Sequence, residues 1–417
     1  MKRRSVKQVG GGHTEVHKTG QRVLGDAVSR RLWPLESEAL CARAERRTGL
    51  TDFGDPPVEA ALSVLATSLE NEADLHPLGR FLMHGHLSEL LEIRLRLAAA
   101  WRARLGSLEA SPIRRPVFIT GMPRSGSTFL HELLSQDPDS RSPKVWEIMF
   151  PLPAPEAGGA YRDSRRHRAN ARLWWFRRLA PRADEVHPMR AGTPHECTAI
   201  HSFTFLSEAF ISTCRIPSYE RFLRSGKLGP AYLWERRFLQ HLQSRQPTKR
   251  WVLKSPDHLY ALDELFAVFP DAVIVYIQRD PLEVLRSSLQ LTGVLSGLFG
   301  RLGDLDELRD REARELAERM SRAMRFRDRH PELAGHFIDL DYSALVADPM
   351  QAVSRIYQSL DCAPSQPALE QMRHLTGTRS KYRRRRNASL SDLGLDAAEV
   401  HRFRNYCLQF GIPLPSS

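Results

Sequence analysis

The stretch Arg115–Leu130, RPVFITGMPRSGSTFL, constrains this chain more than any other. Val117 to Thr120 is a short β-branched and aromatic run that reads as a buried strand. A loop punctuated by Pro123 and two glycines follows, and Ser127 to Leu134 reads as the first turns of a helix. A strand feeding a glycine-rich loop into a helix start makes an anion cradle. Loop amides point inward, and the helix N-terminus adds about half a positive charge.

Gly121, Gly126 and Thr128 keep the spacing of the nucleotide-binding phosphate loop, G-x-x-x-x-G-K-[ST], with one departure. Ser127 stands where the lysine belongs, and Arg124 supplies positive charge from inside the loop. A nucleoside triphosphatase uses that lysine on its β- and γ-phosphates, so the exchange argues against ATP or GTP hydrolysis. It points instead to a ligand with one 5′-phosphate to hold.

Composition narrows the setting. The chain has 417 residues, 41% hydrophobic and 26% charged, enough for a large buried core. No apolar run approaches the roughly 20 residues that span a bilayer. The polar, basic start predicts no signal peptide, and the expected compartment is the cytoplasm. Five scattered cysteines without a C-x-x-C predict reduced thiols, not a disulfide framework or a zinc ribbon. The net charge of +12 raises nucleic acid or a membrane surface as partners. Only about eight of the 61 basic residues are lysines, and the arginines are spread out apart from Arg383–Arg386, so a multiply anionic small ligand accounts for the charge without nucleic acid.

Along the chain, residues 1–24 read as a disordered basic tail, 25–112 as a helical region and 113–417 as the main domain. Helices are expected at Glu38–Arg47, Pro57–Glu72 and Leu78–Leu105. His84 and His86 lack the further ligands a metal would need, and no metal is implied. Beyond the loop, strands are expected at Trp251–Lys254, Ala272–Ile277 and His336–Leu340. Helices are expected at Leu259–Phe269, at Pro281 to about Leu291 with Asp280 as N-cap, and at Met350–Leu360. This alternation predicts an α/β fold: a phosphate-loop-type parallel sheet flanked by helices. Between the first two strands lies a long helical insertion rich in arginine and aromatics. Phe203, Leu206 and Phe210 there read as core, and others, Trp174 and Trp175 among them, as candidates to line an acceptor pocket.

Arg124, Lys254 and Arg279 fall at strand ends, where ligands of parallel sheets bind. Ser287 lies about two turns into the helix after Arg279, within reach of the same phosphate. Two separate anion sites, one at Gly121–Thr128 and one at Arg279 with Ser287, imply a ligand with two phosphates some distance apart. Pro123–Thr128 resembles the 5′-phosphosulfate loop of sulfotransferases that use 3′-phosphoadenosine 5′-phosphosulfate (PAPS), and Arg279-Asp280-Pro281 with Ser287 resembles their 3′-phosphate motif. The stretches Leu134–Pro138, Trp146–Pro151, His195–Cys197, Leu253–Pro256 and Tyr342–Pro349 are similar to a broad bacterial branch related to tyrosylprotein sulfotransferases. The resemblance covers roughly 115 to 415.

It implies that Arg124, Ser125, Gly126, Ser127 and Thr128 hold the 5′-phosphate and that Arg279 and Ser287 hold the 3′-phosphate. It implies Glu147 as the base that takes the acceptor's proton, with Glu196 or His195 as the fallback. Lys254 and Arg124 would meet charge developing at the sulfuryl group and leaving oxygen. The run Lys381–Arg386 stands where a cofactor-covering segment is common, without the usual Arg-Lys-Gly. The implied reaction is sulfuryl transfer from PAPS to a hydroxyl of an acceptor that the sequence does not name: a small molecule, a sugar or a tyrosine. Two other readings stand beside it. A phosphate-loop kinase or nucleotidase would need a loop lysine and a Mg²⁺-binding Asp. A basic nucleic-acid-binding protein would show a steep salt dependence.

Overall fold

The computed structural model describes residues 25–104, 106, 108, 110–153, 163–181, 188–226, 228–300, 304–378 and 401–413. The tail 1–24 and the basic run Lys381–Arg386 lie outside them. Among the described residues four N-terminal helices come first: α1 (Asp26–Leu32), α2 (Ser37–Thr48), α3 (Glu59–Asn71) and α4 (Pro77–Arg102). Strand β1 (Val117–Gly121) then leads through the glycine loop into α5 (Ser127–Leu134). The insertion holds the short β2 (Ser140–Arg141) and helices α6 (Val145–Met149), α7 (Ser164–Leu179), α8 (Cys197–His201), α9 (Pro217–Ser225) and α10 (Gly229–Gln243). The remainder runs β3 (Arg250–Lys254), α11 (Leu262–Val268), β4 (Val273–Gln278), α12 (Pro281–Phe299), α13 (Leu305–Arg329), β5 (Phe337–Asp341), α14 (Tyr342–Ala347), α15 (Pro349–Ser359), α16 (Gln366–Thr378) and α17 (Arg404–Phe410).

The five strands form one sheet in the order β2-β3-β1-β4-β5, and every pairing is parallel. Strand periodicity sorts the side chains to two cores. Phe118, Leu253, Ile274 and Tyr276 face the N-terminal helices and the insertion. Val117, Ile119, Val252, Val275 and Ile277 face α5, α15 and α16. All of β1 and β4 is buried, as continuous apolar runs covered on both faces require.

The expected strands appear within a residue or two, and β2 is additional. It is two residues long, polar in sequence, and exists because Ser140 and Arg141 pair with the start of β3. Helix α12 runs to Phe299, well past Leu291. The Phe299 carbonyl accepts the His76 amide (3.2 Å), so the far end of α12 is held by the N-terminus of α4. A Cβ on Gly79 would meet that carbonyl oxygen at 1.8 Å, so only glycine lets the two helices approach this closely.

The N-terminal helices are tied to the insertion by Arg94 on α4, which is fully buried. Its guanidinium donates to the carbonyls of Phe53 (2.9 Å), Phe203 (2.8 Å) and Gly54 (3.1 Å) and lies 4.0 Å from the ring centroid of Trp234 on α10. Burial pulls its pKa down to about 9, which leaves it charged at neutral pH and dependent on those carbonyls. Arg94→Leu strands four carbonyls at once, because the guanidinium also donates to that of Pro56. Urea unfolding should show a loss of about 3 kcal/mol; a loss under about 0.5 kcal/mol would mean the N-terminal helices are held by apolar packing alone.

Candidate active site

β1 lies between β3 and β4, and the register decides what meets at its end. Ile119 is opposite Lys254 on one side, and Gly121 is opposite Ile277 on the other. Neighbouring strands are about 4.8 Å apart. Lys254, the loop after Gly121 and Arg279 therefore stand side by side at the carboxyl edge.

The loop turns on unusual backbone. Arg124 has φ 65° and Gly126 φ 86°, both left-handed. Gly126 is the N-cap of α5 and offers no side-chain oxygen to the first amides of the helix. Those amides lack partners within the helix, which leaves them for an anion. A Cβ on Gly126 would lie 3.2 Å from the Tyr342 ring, and one on Gly121 would lie 2.6 Å from the Ile277 carbonyl oxygen. The turn is thus walled by β4 on one side and by the start of α14 on the other.

The side chains converge on this turn. The Arg279 guanidinium donates to the Arg124 carbonyl, lies 4.1 Å from the Tyr342 ring centroid and is 3.6 Å from the Glu283 carboxylate. The Arg124 Nε donates to Ser287 Oγ at 3.0 Å. Asp280 caps α12 through the Leu282 amide (2.9 Å), which sets the helix that brings Ser287 over the loop. The two patches read from the sequence are direct neighbours, with Arg124 reaching from one to the other. Ser125 is fully buried, and its Oγ has no hydrogen-bond partner, so the loop holds a polar atom unmatched by the protein. Ser127 is buried and Thr128 is exposed at the mouth of α5.

On the other flank Lys254 is 4% exposed, and its Nζ is ion-paired with Glu196. Glu196 precedes α8, and its position is set by a backbone ladder. The amides of Val145, Trp146 and His195 donate to the carbonyls of Thr193 (3.1 Å), Ala191 (3.1 Å) and Pro143 (2.8 Å). Behind the pair His131 bonds the Val252 carbonyl (3.1 Å). Burial, and then the charge of Lys254, push its pKa down to about 3, so it is neutral. His258, one turn past Lys254, bonds Tyr232 through Nδ1 (2.8 Å) and leaves Nε2 buried and unpartnered. Burial again dominates and holds this ring neutral, near 3.

Glu147, the base that the resemblance implies, is ion-paired in the structure. Its carboxylate takes the Arg141 guanidinium at 2.7 Å and the Lys144 amide at 2.8 Å, closing a capping box on α6. Arg141 in turn donates to the carbonyls of Leu242 (2.7 Å) and Gln246 (2.9 Å). Both Glu147 oxygens therefore serve to fix β2 and α6 against the end of α10. Sequence spacing gives no hint of this, because the competing partner is an arginine six residues earlier on an unforeseen strand.

Comparison with known proteins agrees with this architecture. A model described as the sulfotransferase family matches residues 116–367. The chain belongs to the sulfotransferase family. It is 29% identical over 282 residues to an omega-hydroxy-beta-dihydromenaquinone-9 sulfotransferase, Stf3, of Mycobacterium bovis, covering 64% of this chain and 68% of that one. Among solved structures it is similar to sulfotransferase STF1 of Mycobacterium tuberculosis, with TM-score 0.77 and 29% identity over 88% of this chain and 98% of that one. It is also similar to STF9 of Mycobacterium avium, with TM-score 0.82 and 26% identity over 92% and 98%. The enzyme is a transferase of sulfuryl groups, and the family implies a sulfuryl donor. A donor brings anionic groups, and the exposed amides at Gly126–Thr128, the arginine pair and the unmatched Ser125 hydroxyl suit them.

Two residues beside this site were not named as site residues from the sequence, although Tyr342 opens one of the stretches that carry the resemblance. Tyr342 walls the loop and stacks on Arg279, and the signal for it was its place immediately after a strand end. His258 follows the strand-end lysine by four residues, but nothing in the sequence marks it as buried. The loop geometry makes a test. Gly126→Ala should lower the unfolding free energy by about 1–2 kcal/mol. Gly229→Ala, where a Cβ meets nothing within 4 Å, should change it by under about 0.5 kcal/mol. Equal effects would mean the left-handed turn carries no strain cost.

Proposed function

We propose that this enzyme transfers the sulfuryl group of PAPS to a hydroxyl on an apolar acceptor, with the Lys254–Glu196 pair at the reacting centre. The observation that carries the donor assignment is the contact of Arg124 with Ser287 and of Arg279 with the Arg124 carbonyl. A loop with Ser127 in the lysine position, joined by a second cationic group at Arg279 and Ser287, suits one small molecule with a 5′- and a 3′-phosphate better than a triphosphate. The amides of Gly126, Ser127 and Thr128, with Arg124 and Ser125, would hold the 5′-phosphate, and Arg279 and Ser287 the 3′-phosphate. When bound, PAPS supplies an activated sulfuryl group on a phosphate leaving group.

The chain's own groups do the rest. Glu196 takes the proton as the acceptor oxygen bonds to sulfur and the sulfur–phosphate oxygen bond breaks. Lys254 and Arg124 meet the charge that appears on the departing oxygen. Alignment of acceptor and donor along one line supplies much of the rate, as in phosphoryl transfer. Glu196 is favoured over Glu147 because one of the two is ion-paired to the strand-end lysine and the other is locked to Arg141. The relative named for an omega-hydroxylated menaquinone supports a hydroxyl on an apolar molecule as acceptor. The five cysteines are all free thiols, which supports a reducing compartment such as the cytoplasm. Among the described residues no helix is long and apolar enough to cross a membrane.

Thermal unfolding with adenosine 3′,5′-bisphosphate, ATP and AMP tests the donor. The bisphosphate should raise Tm most, and Arg279→Ala should abolish the difference; equal stabilisation by all three would remove PAPS from the account. The base assignment separates kinetics from stability. Glu196→Gln should slow turnover of the folded enzyme by about 10²-fold or more, besides the stability lost by orphaning the buried Lys254, whereas Glu147→Gln should leave that turnover within a few-fold. Glu147→Gln should cost about 3 kcal/mol of stability by orphaning Arg141. Unchanged turnover in Glu196→Gln would place the base elsewhere.

A further inference from the structure

Among the described residues helix α7 alone combines clustered arginine with exposed tryptophan. Over Ser164–Leu179 it carries Arg165, Arg166, Arg168, Arg172, Arg177 and Arg178 and no carboxylate. Trp174 and Trp175, adjacent on its outer side, are 45% and 62% exposed. A solvated helix normally hides its tryptophans and balances its arginines with Glu or Asp one turn away. Here the inner face is narrow: Ala169 and Leu173 pack on Val145, Trp146 and Ala191. Arg165 is paired with Asp163, and Arg172 with Glu89 of α4. The exposed Arg168 and Arg178 rest instead on aromatic rings, Arg168 4.4 Å from the centroid of Phe150 and Arg178 5.3 Å from that of Trp174.

We propose that the outer face of α7 docks this enzyme on an anionic lipid surface. Indole rings favour the boundary between head groups and acyl chains, and guanidinium groups beside them meet lipid phosphates. The charge complementarity is local, from a helix without a carboxylate, and general, from a chain of net charge +12. Single-stranded nucleic acid fits the face less well. The two indoles stand edge to face at 81°, with centroids 4.9 Å apart, so they offer no run of parallel ring faces for successive bases. The position of α7 gives docking a use. It packs on α6, whose first amides bond the carbonyls of Ala191 and Thr193 just ahead of Glu196. The docked face and the proposed base thus belong to one packed unit, which would bring the site to a hydroxyl held in the membrane. That last step rests on the apolar acceptor proposed above, but the docking does not.

The test uses the full chain without donor or acceptor. Co-sedimentation and tryptophan emission are followed with vesicles of phosphatidylcholine alone and of phosphatidylcholine mixed with phosphatidylglycerol. The expected result is binding about tenfold or more tighter to the anionic vesicles, with blue-shifted emission and weakening in salt. The Trp174→Ala/Trp175→Ala double variant and the Arg168→Ala/Arg178→Ala double variant should each lose about tenfold or more in vesicle affinity. Both should keep the Tm and circular-dichroism spectrum of the unsubstituted enzyme, which shows that they fold. No binding, equal binding to both vesicle types, or wild-type binding by the tryptophan variant would overturn docking by α7. So would single-stranded DNA bound as tightly as the anionic vesicles and with the same dependence on the indoles. A negative result here leaves sulfuryl transfer untouched, and a failed bisphosphate titration leaves the vesicle result standing.

Discussion

The hydrogen bond from the Arg279 guanidinium to the Arg124 carbonyl joins the ends of two strands whose residues are far apart in sequence. It exists only because β1 and β4 run parallel in a register that sets Gly121 against Ile277. Shift that register by one residue and every side chain of β4 changes face, which would turn Arg279 from the loop and Ile277 from its core. The left-handed turn at Arg124 and Gly126 exposes the carbonyl to Arg279 and leaves the α5 amides for an anion. Fold and site are therefore one constraint. The apolar alternation that buries the sheet is also what aims the cations.

Around this centre the molecule keeps its ionic groups matched in separate sets. Arg141 with Glu147 and Lys254 with Glu196 are each buried or nearly so and lie within one insertion and the strands beside it. An unmatched charge at such depth is too costly to keep. Among these pairs, the Lys254–Glu196 contact is the one formed at the carboxyl edge of the sheet, beside the loop. Its glutamate side chain is 22% exposed against 3% for Glu147. A base must exchange protons with an incoming molecule, and that difference in access favours Glu196.

Much of this was legible in the residues. The strand at Val117, the loop glycines and the apolar run of β4 follow from short-range rules, and Asp280-Pro281 marks its helix start without help from the fold. What sequence could not supply is direction. Glu147 and Glu196 look alike as candidates. Only the fold shows that one is drawn to Arg141 on a two-residue strand with no apolar signature and the other to Lys254, fifty-eight positions on. Trp174 and Trp175 read as acceptor-pocket candidates by composition, yet α7 presents them outward because its apolar stripe is only wide enough for Ala169 and Leu173. The extension of α12 to Phe299 likewise depends on a distant partner, the approach of Gly79.

The measurement that bears most directly on the account is a crystal structure of the enzyme with adenosine 3′,5′-bisphosphate. The account predicts the 5′-phosphate on the amides of Gly126–Thr128 and the 3′-phosphate within hydrogen-bond distance of Arg279 and Ser287, with Lys254 facing the 5′ end. A nucleotide bound elsewhere, or one whose 3′-phosphate contacts neither Arg279 nor Ser287, would contradict it.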